Sequence, residues 1–309
     1  MANIELRTMG NEDWGEVAAL IYDSTNAWYV AHGRPPVFTG APNSLTLFCA
    51  VYEQLDPGCC VVAEDRQAGR LAGSCFYHPR STHVSLGIMN VHPDCFGQGV
   101  GSRLLRYVTD VADRENKPMR LVSSALNLDS YSLYNRAGFV PCLIYQDMVM
   151  QVPEGGIEQR VPASGRVRQA TQHDLAGMGK LEWELNHIRR EDDLRHFVEN
   201  PDGIWHVSVI EGPAGGLDGF LVSVAHPALH ALGPGVMRTE ADAAALVLAE
   251  LNHHRGHQPV WLVPADCPQL VQQMYAWGAR NCELHFAQTR GEWLPPRGLI
   301  MPTFMPETG

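Results

Sequence analysis

The 309-residue sequence has no CxxC pair, no apolar run long enough to span a membrane and no excess of basic charge. Each absence excludes a class of protein. The eight cysteines, at 49, 59, 60, 75, 95, 142, 267 and 282, match neither a disulfide framework nor a zinc knuckle, and read as reduced, mostly buried thiols. Lys and Arg total 23 against 34 Asp and Glu, a formal charge of -11. That sign disfavours non-specific attraction to nucleic acid or anionic membrane, while leaving room for a local anion site. The longest apolar stretch, 241–251, carries Asp242 and Glu250 and falls short of the roughly 20 residues a membrane helix needs. The opening 1–7 is polar and lacks the basic segment and apolar core of a signal peptide. A soluble cytoplasmic protein is expected, with no nucleic-acid or membrane partner; its oligomeric state is not legible.

With 45% hydrophobic and 18% charged residues the chain should fold, and its length suits two domains. Pro153, Gly155, Gly156, Pro162 and Gly165 oppose regular structure between them, so 151–165 reads as a linker between segments 1–150 and 166–309. The segments share an order of features. Ala68-Gly69-Arg70-Leu71-Ala72-Gly73 leads to His78-Pro79, and Ala214-Gly215-Gly216-Leu217-Asp218-Gly219 leads to His226-Pro227. Leu133, Tyr134 and Gly138 find counterparts in Met274, Tyr275 and Gly278. A diverged duplication explains matches in register better than chance.

In the first half, β-branched, aromatic and alternating residues predict strands at 59–64, 71–78, 84–91, 119–124 and 139–150. A helix is predicted over 102–116, where Leu104, Leu105, Val108, Val111 and Ala112 fall on one face. In the second half, strands are predicted at 204–210, 219–225 and 259–263, with Ala244, Val247, Leu248 and Leu251 on the matching helix face. This is an α/β pattern.

Between the strand at 84–91 and the helix lies the most informative segment, where Pro93 breaks the strand and Gly97, Gly99 and Gly101 alternate. Glycines let the backbone approach a ligand closely, and a helix N-terminus offers unpaired N–H groups and positive dipole character suited to a phosphate or pyrophosphate. A P-loop is excluded because the loop has no Lys. A dinucleotide fingerprint fails because its third glycine would be Ser102 or Leu104. A ligand-free strand-to-helix turn and an anion site both remain open.

A second element follows the strand at 119–124: Asn127, then Ser130, Leu133, Tyr134, Gly138 and Phe139. Together the two segments resemble the signature motifs of the GNAT superfamily, the GCN5-related N-acetyltransferases, over about residues 4–150. Departures are small: Gln98 occupies the usual Arg slot, Phe96 stands where Gln or Arg is common, and Ser130 replaces Ala.

The resemblance implies two tandem GNAT folds, each a mixed, mostly antiparallel twisted sheet flanked by helices, the first catalytic (1–150) and the second degenerate (166–309). It implies that acetyl-CoA, or another short acyl-CoA, lies between splayed strands. Met89, Asn90 and Val91 would then pair with its pantetheine arm, and the Val91 N–H would face the thioester oxygen. Such a donor contributes about 2.7–4 kcal/mol to acyl transfer. Phe96, Gly97, Gln98, Gly99, Val100, Gly101 and Ser102 would surround the pyrophosphate, Asn127 would lie near the reactive end, and Tyr134 would face the departing sulfur; a buried core aromatic is the other reading of Tyr134. The acceptor would be the amine of a small molecule, an aminoacyl compound or a peptide.

Glu64, His83 and His92 lie near predicted strand ends as candidate bases, and Trp28, Tyr29 and His32 either line the acceptor site or pack. In the second half, Pro234 removes an N–H and Glu240 would repel phosphate, so no cofactor is expected there, and Tyr275 reads as retained core. His226, His230, His253, His254 and His257 lack accompanying carboxylates or thiols and read as structural, with no metal. The proline-rich end, 293–309, is expected to run extended over the surface. A non-catalytic acyl-CoA-binding or regulatory module is the alternative function.

Overall fold

The computed structural model describes residues 4–213 and 215–309, so Ala214 of the second repeat and the first three residues of the polar opening lie outside the described residues. Two compact units are present: Met1–Leu121 with Met305–Thr308, and Val122–Phe304 with Gly309.

The first unit runs β1 (Ile4–Thr8), α1 (Trp14–Ala31), α2 (Thr46–Leu55), β2 (Cys60–Asp65), β3 (Arg70–Pro79), β4 (Val84–Val91), α3 (Val100–Arg114) and into β5 (Met119–Ser124). The sheet order is β1-β2-β3-β4-β5, antiparallel except for the parallel β4–β5 pair. The predicted strands of this stretch appear within one residue of their expected bounds. α3 begins two residues early because Gly99, in the left-handed conformation, is its N-cap. The apolar stripe of α3 buries Leu104, Leu105, Val108 and Ala112 completely. It lies so close to β3 that a Cβ on Gly73 would stand 2.9 Å from Leu104; glycine there sets the approach of helix to sheet. α2 packs Tyr52 against Phe76 and His78 of β3, ring centroids 4.7 and 4.9 Å apart.

The second unit takes up the end of β5 and continues through α4 (Leu128–Arg136), β6 (Val140–Val149), β7 (Val167–Gln169), α5 (Leu175–Asn186), α6 (Glu191–Glu199), β8 (Trp205–Glu211), β9 (Leu217–His226), β10 (Leu229–Met237), α7 (Glu240–His253), β11 (Val260–Pro264), α8 (Pro268–Ala276), β12 (Arg280–Arg290) and β13 (Leu299–Met301). Its order is β12-β6-β11-β10-β9-β8-β7, with β13 beside β10. The succession β3-β4-α3-β5-α4-β6 recurs as β9-β10-α7-β11-α8-β12, as two copies of one fold require. The compact units do not coincide with the sequence halves, because β6 lies between β12 and β11 and pairs antiparallel with both. α7 is rich in alanine and buried along nearly its whole length within the core that includes Trp261, Met148 and Met301.

Two expectations are corrected. Of residues 232–240, expected as the counterpart of the glycine loop, those up to Met237 belong to strand β10, whose register with β9 shifts between Leu232 and Gly235. The end of the chain is no surface strip: β13 pairs with β10, and Met301, Thr303, Met305 and Thr308 are buried. Prolines impose extended backbone, but Leu299, Ile300 and Met301 supply a strand's apolar face, and extended backbone at an open edge joins the sheet. Among the described residues no helix is long and apolar enough to cross a membrane.

Leu104→Ala should lower the unfolding free energy by about 2–5 kcal/mol, since the β3 backbone cannot follow the shortened side chain. Urea unfolding measures this, and a loss below about 1 kcal/mol would contradict the packing described.

Candidate functional site

β4 is joined to β5 only through Val84 and Ser85, opposite Met119 and Arg120. Beyond Ser85 the edge of β4 on that side carries no ladder. Backbone groups of a strand alternate in direction residue by residue. The His92 N–H donates to the Ala72 carbonyl of β3 at 2.9 Å, so the Val91 N–H points away from β3, onto the unpaired edge. Met89, two residues earlier, shares that direction. Asn90 instead turns to α1, its Nδ2 donating to Ser24 Oγ at 2.6 Å, and anchors the strand.

The turn after β4 is tied down by its own polar groups. His92 Nδ1 accepts from the Asp94 N–H at 3.2 Å, and Arg70 pairs with Asp94 at 2.8 Å, holding that exposed carboxyl below its ordinary range. Gln98 folds back and donates to the Asp94 carbonyl at 2.6 Å, so its side chain braces the turn. Phe96 is 46% exposed. Gly97 and Gly99 have φ of 72° and 83°, and a Cβ at either would meet nothing within 4 Å; the loop is open where it is glycine.

At the start of α3 no side chain caps the helix, and its first turn holds no acidic residue. The N–H groups of Val100, Gly101 and Ser102 precede the first intrahelical bond, in which the Arg103 N–H donates to the Gly99 carbonyl at 3.2 Å. An uncapped, glycine-lined helix start suits an anionic diphosphate. α7, its counterpart, is built oppositely. Thr239 caps it by accepting from the Asp242 N–H at 3.2 Å, Glu240 and Asp242 stand in its first turn, and Glu240 accepts from the Leu270 N–H at 2.7 Å.

Asn127 and Tyr134 lie in the second unit, where the motif they belong to defines a helix from cap to cap. Asn127 is the N-cap of α4, its Oδ1 accepting from the Ser130 N–H at 2.9 Å. Gly138, φ 91°, ends the helix. Phe139 then turns back, its N–H donating to the Tyr134 carbonyl at 3.1 Å and its ring meeting that of Tyr134 edge-on at 5.9 Å. Tyr134 is 7% exposed. Tyr275, expected as core, is 47% exposed and donates to Gln146 Oε1 at 3.2 Å; the duplication kept the residue but not its burial.

The candidate bases named from sequence are occupied. Glu64 accepts from Arg7 at 3.0 Å. His83 contacts the Thr308 carbonyl through Nε2 at 2.8 Å and Thr82 through Nδ1 at 2.9 Å, and His92 braces the turn. Trp28 and His32 stack on each other at 4.1 Å, with Tyr29 edge-on to Trp28 at 5.2 Å.

Sequence reasoning missed a buried polar group behind β4. Asp56 binds His78 Nδ1 at 2.7 Å and Arg80 at 2.6 and 2.9 Å. Burial alone would raise the Asp56 pKa, but these hydrogen bonds outweigh it and hold the carboxyl below its usual value. Beside it, Tyr52 donates to the Glu307 carboxylate. No local pattern links residues 255 positions apart; the only signal is a single acid in the proline-bearing end.

In the second unit His230 stacks on His257 at 4.2 Å and His206 on His253 at 4.0 Å, and among the described residues no three His, Cys, Asp or Glu are grouped to hold a metal. All eight cysteines are free; burial pushes the Cys49 and Cys267 thiols up to about 12, far from nucleophilic thiolates.

Residues 56–141 match the family model of the Acetyltransferase (GNAT) domain. A UPF0157 protein, YqkA of Bacillus subtilis, is 34% identical over 74 residues, which are 24% of this chain and 21% of that protein. Among solved structures, a GCN5-related N-acetyltransferase from Sphaerobacter thermophilus aligns with TM-score 0.63 and 16% identity over 95% of this chain and 98% of that one. A tandem GNAT protein from the clavulanic acid biosynthesis pathway aligns with TM-score 0.61 and 14% identity over 93% and 98%. Saccharomyces cerevisiae N-myristoyltransferase with bound myristoyl-CoA aligns with TM-score 0.65 and 10% identity over 96% and 82%. At these identities the structural likeness is one of fold.

Ser102→Glu, which sets a like charge beside the α3 N-terminus, should weaken coenzyme A binding about tenfold or more, some 1.4 kcal/mol. Calorimetry measures it, and an unchanged affinity would contradict the site.

Proposed function

Since residues 56–141 match the GNAT domain model, we propose that this protein is an N-acetyltransferase, moving the acetyl group of acetyl-CoA, or another short acyl group from its CoA thioester, onto a primary amine. The acceptor is a small molecule, an aminoacyl compound or a peptide. The observation that carries the reading is the Val91 N–H on the unpaired edge of β4, followed within ten residues by the uncapped start of α3. One element can pair with a pantetheine arm and the other can hold a diphosphate.

In this reading 1–150 is the catalytic segment. Met89, Asn90 and Val91 align the arm, and the Val91 N–H polarises the thioester carbonyl, where a fixed donor favours the negative oxygen of the transition state. The turn at 96–102 fixes the diphosphate and so the distance from nucleotide to thioester. The amine nitrogen attacks the carbonyl carbon, the C–N bond forms, and the C–S bond breaks to release CoA.

Tyr134 is assigned to the departing sulfur. A phenol with pKa near 10 donates poorly to a thiolate whose conjugate acid lies near 8.5, so its hydrogen bond stabilises the leaving group more than full proton transfer does. We assign Asn127 a place near the reactive end, in addition to its role as a cap. The segment 166–309 is a degenerate copy: Thr239, Glu240 and Asp242 fill the positions where its diphosphate would bind.

Tyr134→Phe should lower turnover roughly ten- to ten-thousandfold and leave acetyl-CoA affinity nearly intact. Release of the CoA thiol with a panel of primary amines, read alongside calorimetry, tests this. Unchanged turnover would remove Tyr134 from the chemistry, and acetyl-CoA binding without thiol release on any amine would replace the enzyme by a binding module.

A further inference from the structure

We propose that Glu307 accepts the proton of the incoming amine and that it is brought to β4 by the end of the chain; this rests on the N-acetyltransferase reading above. Residues 305–308 belong to the first unit, apart from the residues on either side. Met305 and Thr308 are buried, and the Thr308 carbonyl lies 2.8 Å from His83 Nε2. Glu307 is therefore pinned from both sides, and its half-buried side chain is aimed inward, where Tyr52 donates to the carboxylate.

Tyr52 sets the location of the carboxylate relative to β4. Its ring is packed edge-on to Phe76 and His78. Phe76 stands at the break in β3–β4 register, between the pairs Cys75–Met89 and Tyr77–Leu86. A Cβ on Gly87 would stand 3.2 Å from Phe76 Cβ and 2.8 Å from His78 Nε2, so glycine lets these two side chains lie directly against β4. Cys75, opposite Met89, is close enough for the charge on Glu307 to raise its thiol further, beyond the effect of burial. Through Tyr52 the carboxylate is tied to the Phe76–His78 stretch of β3, which faces Gly87 of β4, four residues before Val91.

The surroundings separate Glu307 from its acidic neighbour. Asp56 is saturated by His78 and Arg80 and cannot take a further proton readily. Among the described residues Glu307 has no ion-pair partner: Tyr52 of α2 donates to it, its charge raises the Cys75 thiol of β3, and across the Tyr52 ring His78 and Arg80 are both bonded to Asp56. Burial pushes the Glu307 carboxyl up to about 8, against the hydrogen bond from Tyr52, which lowers it. The carboxylate form therefore grows as pH rises through the neutral range, in step with the need to deprotonate an ammonium.

The balance of the step is simple. An acceptor enters as R–NH3+ and gives one proton to the Glu307 carboxylate. The neutral nitrogen forms the C–N bond as C–S breaks, and the nitrogen's excess proton passes to water. CoA leaves with its sulfur electron pair and takes its thiol proton from water, and Glu307 returns its proton to solvent, so each turnover releases one proton. A lone carboxylate in an apolar wall also favours a cationic acceptor over a neutral one.

The test uses the full chain, acetyl-CoA and three probes, spermidine, an aminoglycoside and a tripeptide, with thiol release followed from pH 6 to 10. Glu307→Gln keeps the size of the side chain and a partner for Tyr52; it should lower kcat roughly 100- to 10,000-fold and abolish the rising limb near pH 8, with CoA affinity unchanged. Tyr52→Phe, which removes the donor that lowers Glu307, should move the limb to higher pH, a shift that a purely structural role would not produce. If the wild type acetylates a probe while Glu307→Gln stays within about threefold and keeps the limb, this proposal is overturned and the N-acetyltransferase reading stands. If the wild type binds acetyl-CoA but releases no thiol with any probe, both are overturned.

Discussion

Everything at the site depends on β4 losing its parallel neighbour after Ser85. An edge of unpaired N–H and C=O groups is ordinarily a liability. Here it ends in a turn braced by His92, Asp94, Arg70 and Gln98, so the exposed groups are held in fixed directions. The Val91 N–H is aimed by strand geometry alone, and no side chain has to position it. The same economy governs the start of α3, where glycines and the absence of a cap leave backbone donors exposed.

The strands of the first half were legible to within a residue because alternation and β-branched composition mark them, and α3 because its stripe is strongly one-sided. The loop and the Asn127–Phe139 element were legible for a different reason: each is a local device whose geometry depends on near neighbours. Asn127 caps Ser130, Gly138 ends the helix, and Phe139 returns to Tyr134. Such spacing can be read because it is a chain of short-range hydrogen bonds.

What stayed hidden is long-range. Nothing local marks the pairing of β6 with β11 and β12, so compact units that differ from the sequence halves could not be foreseen. The proline-rich end read as surface because proline breaks ladders, yet Leu299, Ile300 and Met301 form a strand and Glu307 meets Tyr52 across most of the chain. β10 was hidden by Gly233 and Pro234, residues that weaken a strand assignment and here occupy a register shift. The second copy kept the order of elements while Thr239, Glu240 and Asp242 closed the helix start that the first copy leaves open.

A crystal structure of the full chain with coenzyme A tests the central claim most directly. The account predicts pantetheine running along β4 with a hydrogen bond from the Val91 N–H, and the diphosphate on the N–H groups of Val100, Gly101 and Ser102. Coenzyme A bound at the Glu240 end of α7, or placed away from the β4 edge, would contradict it.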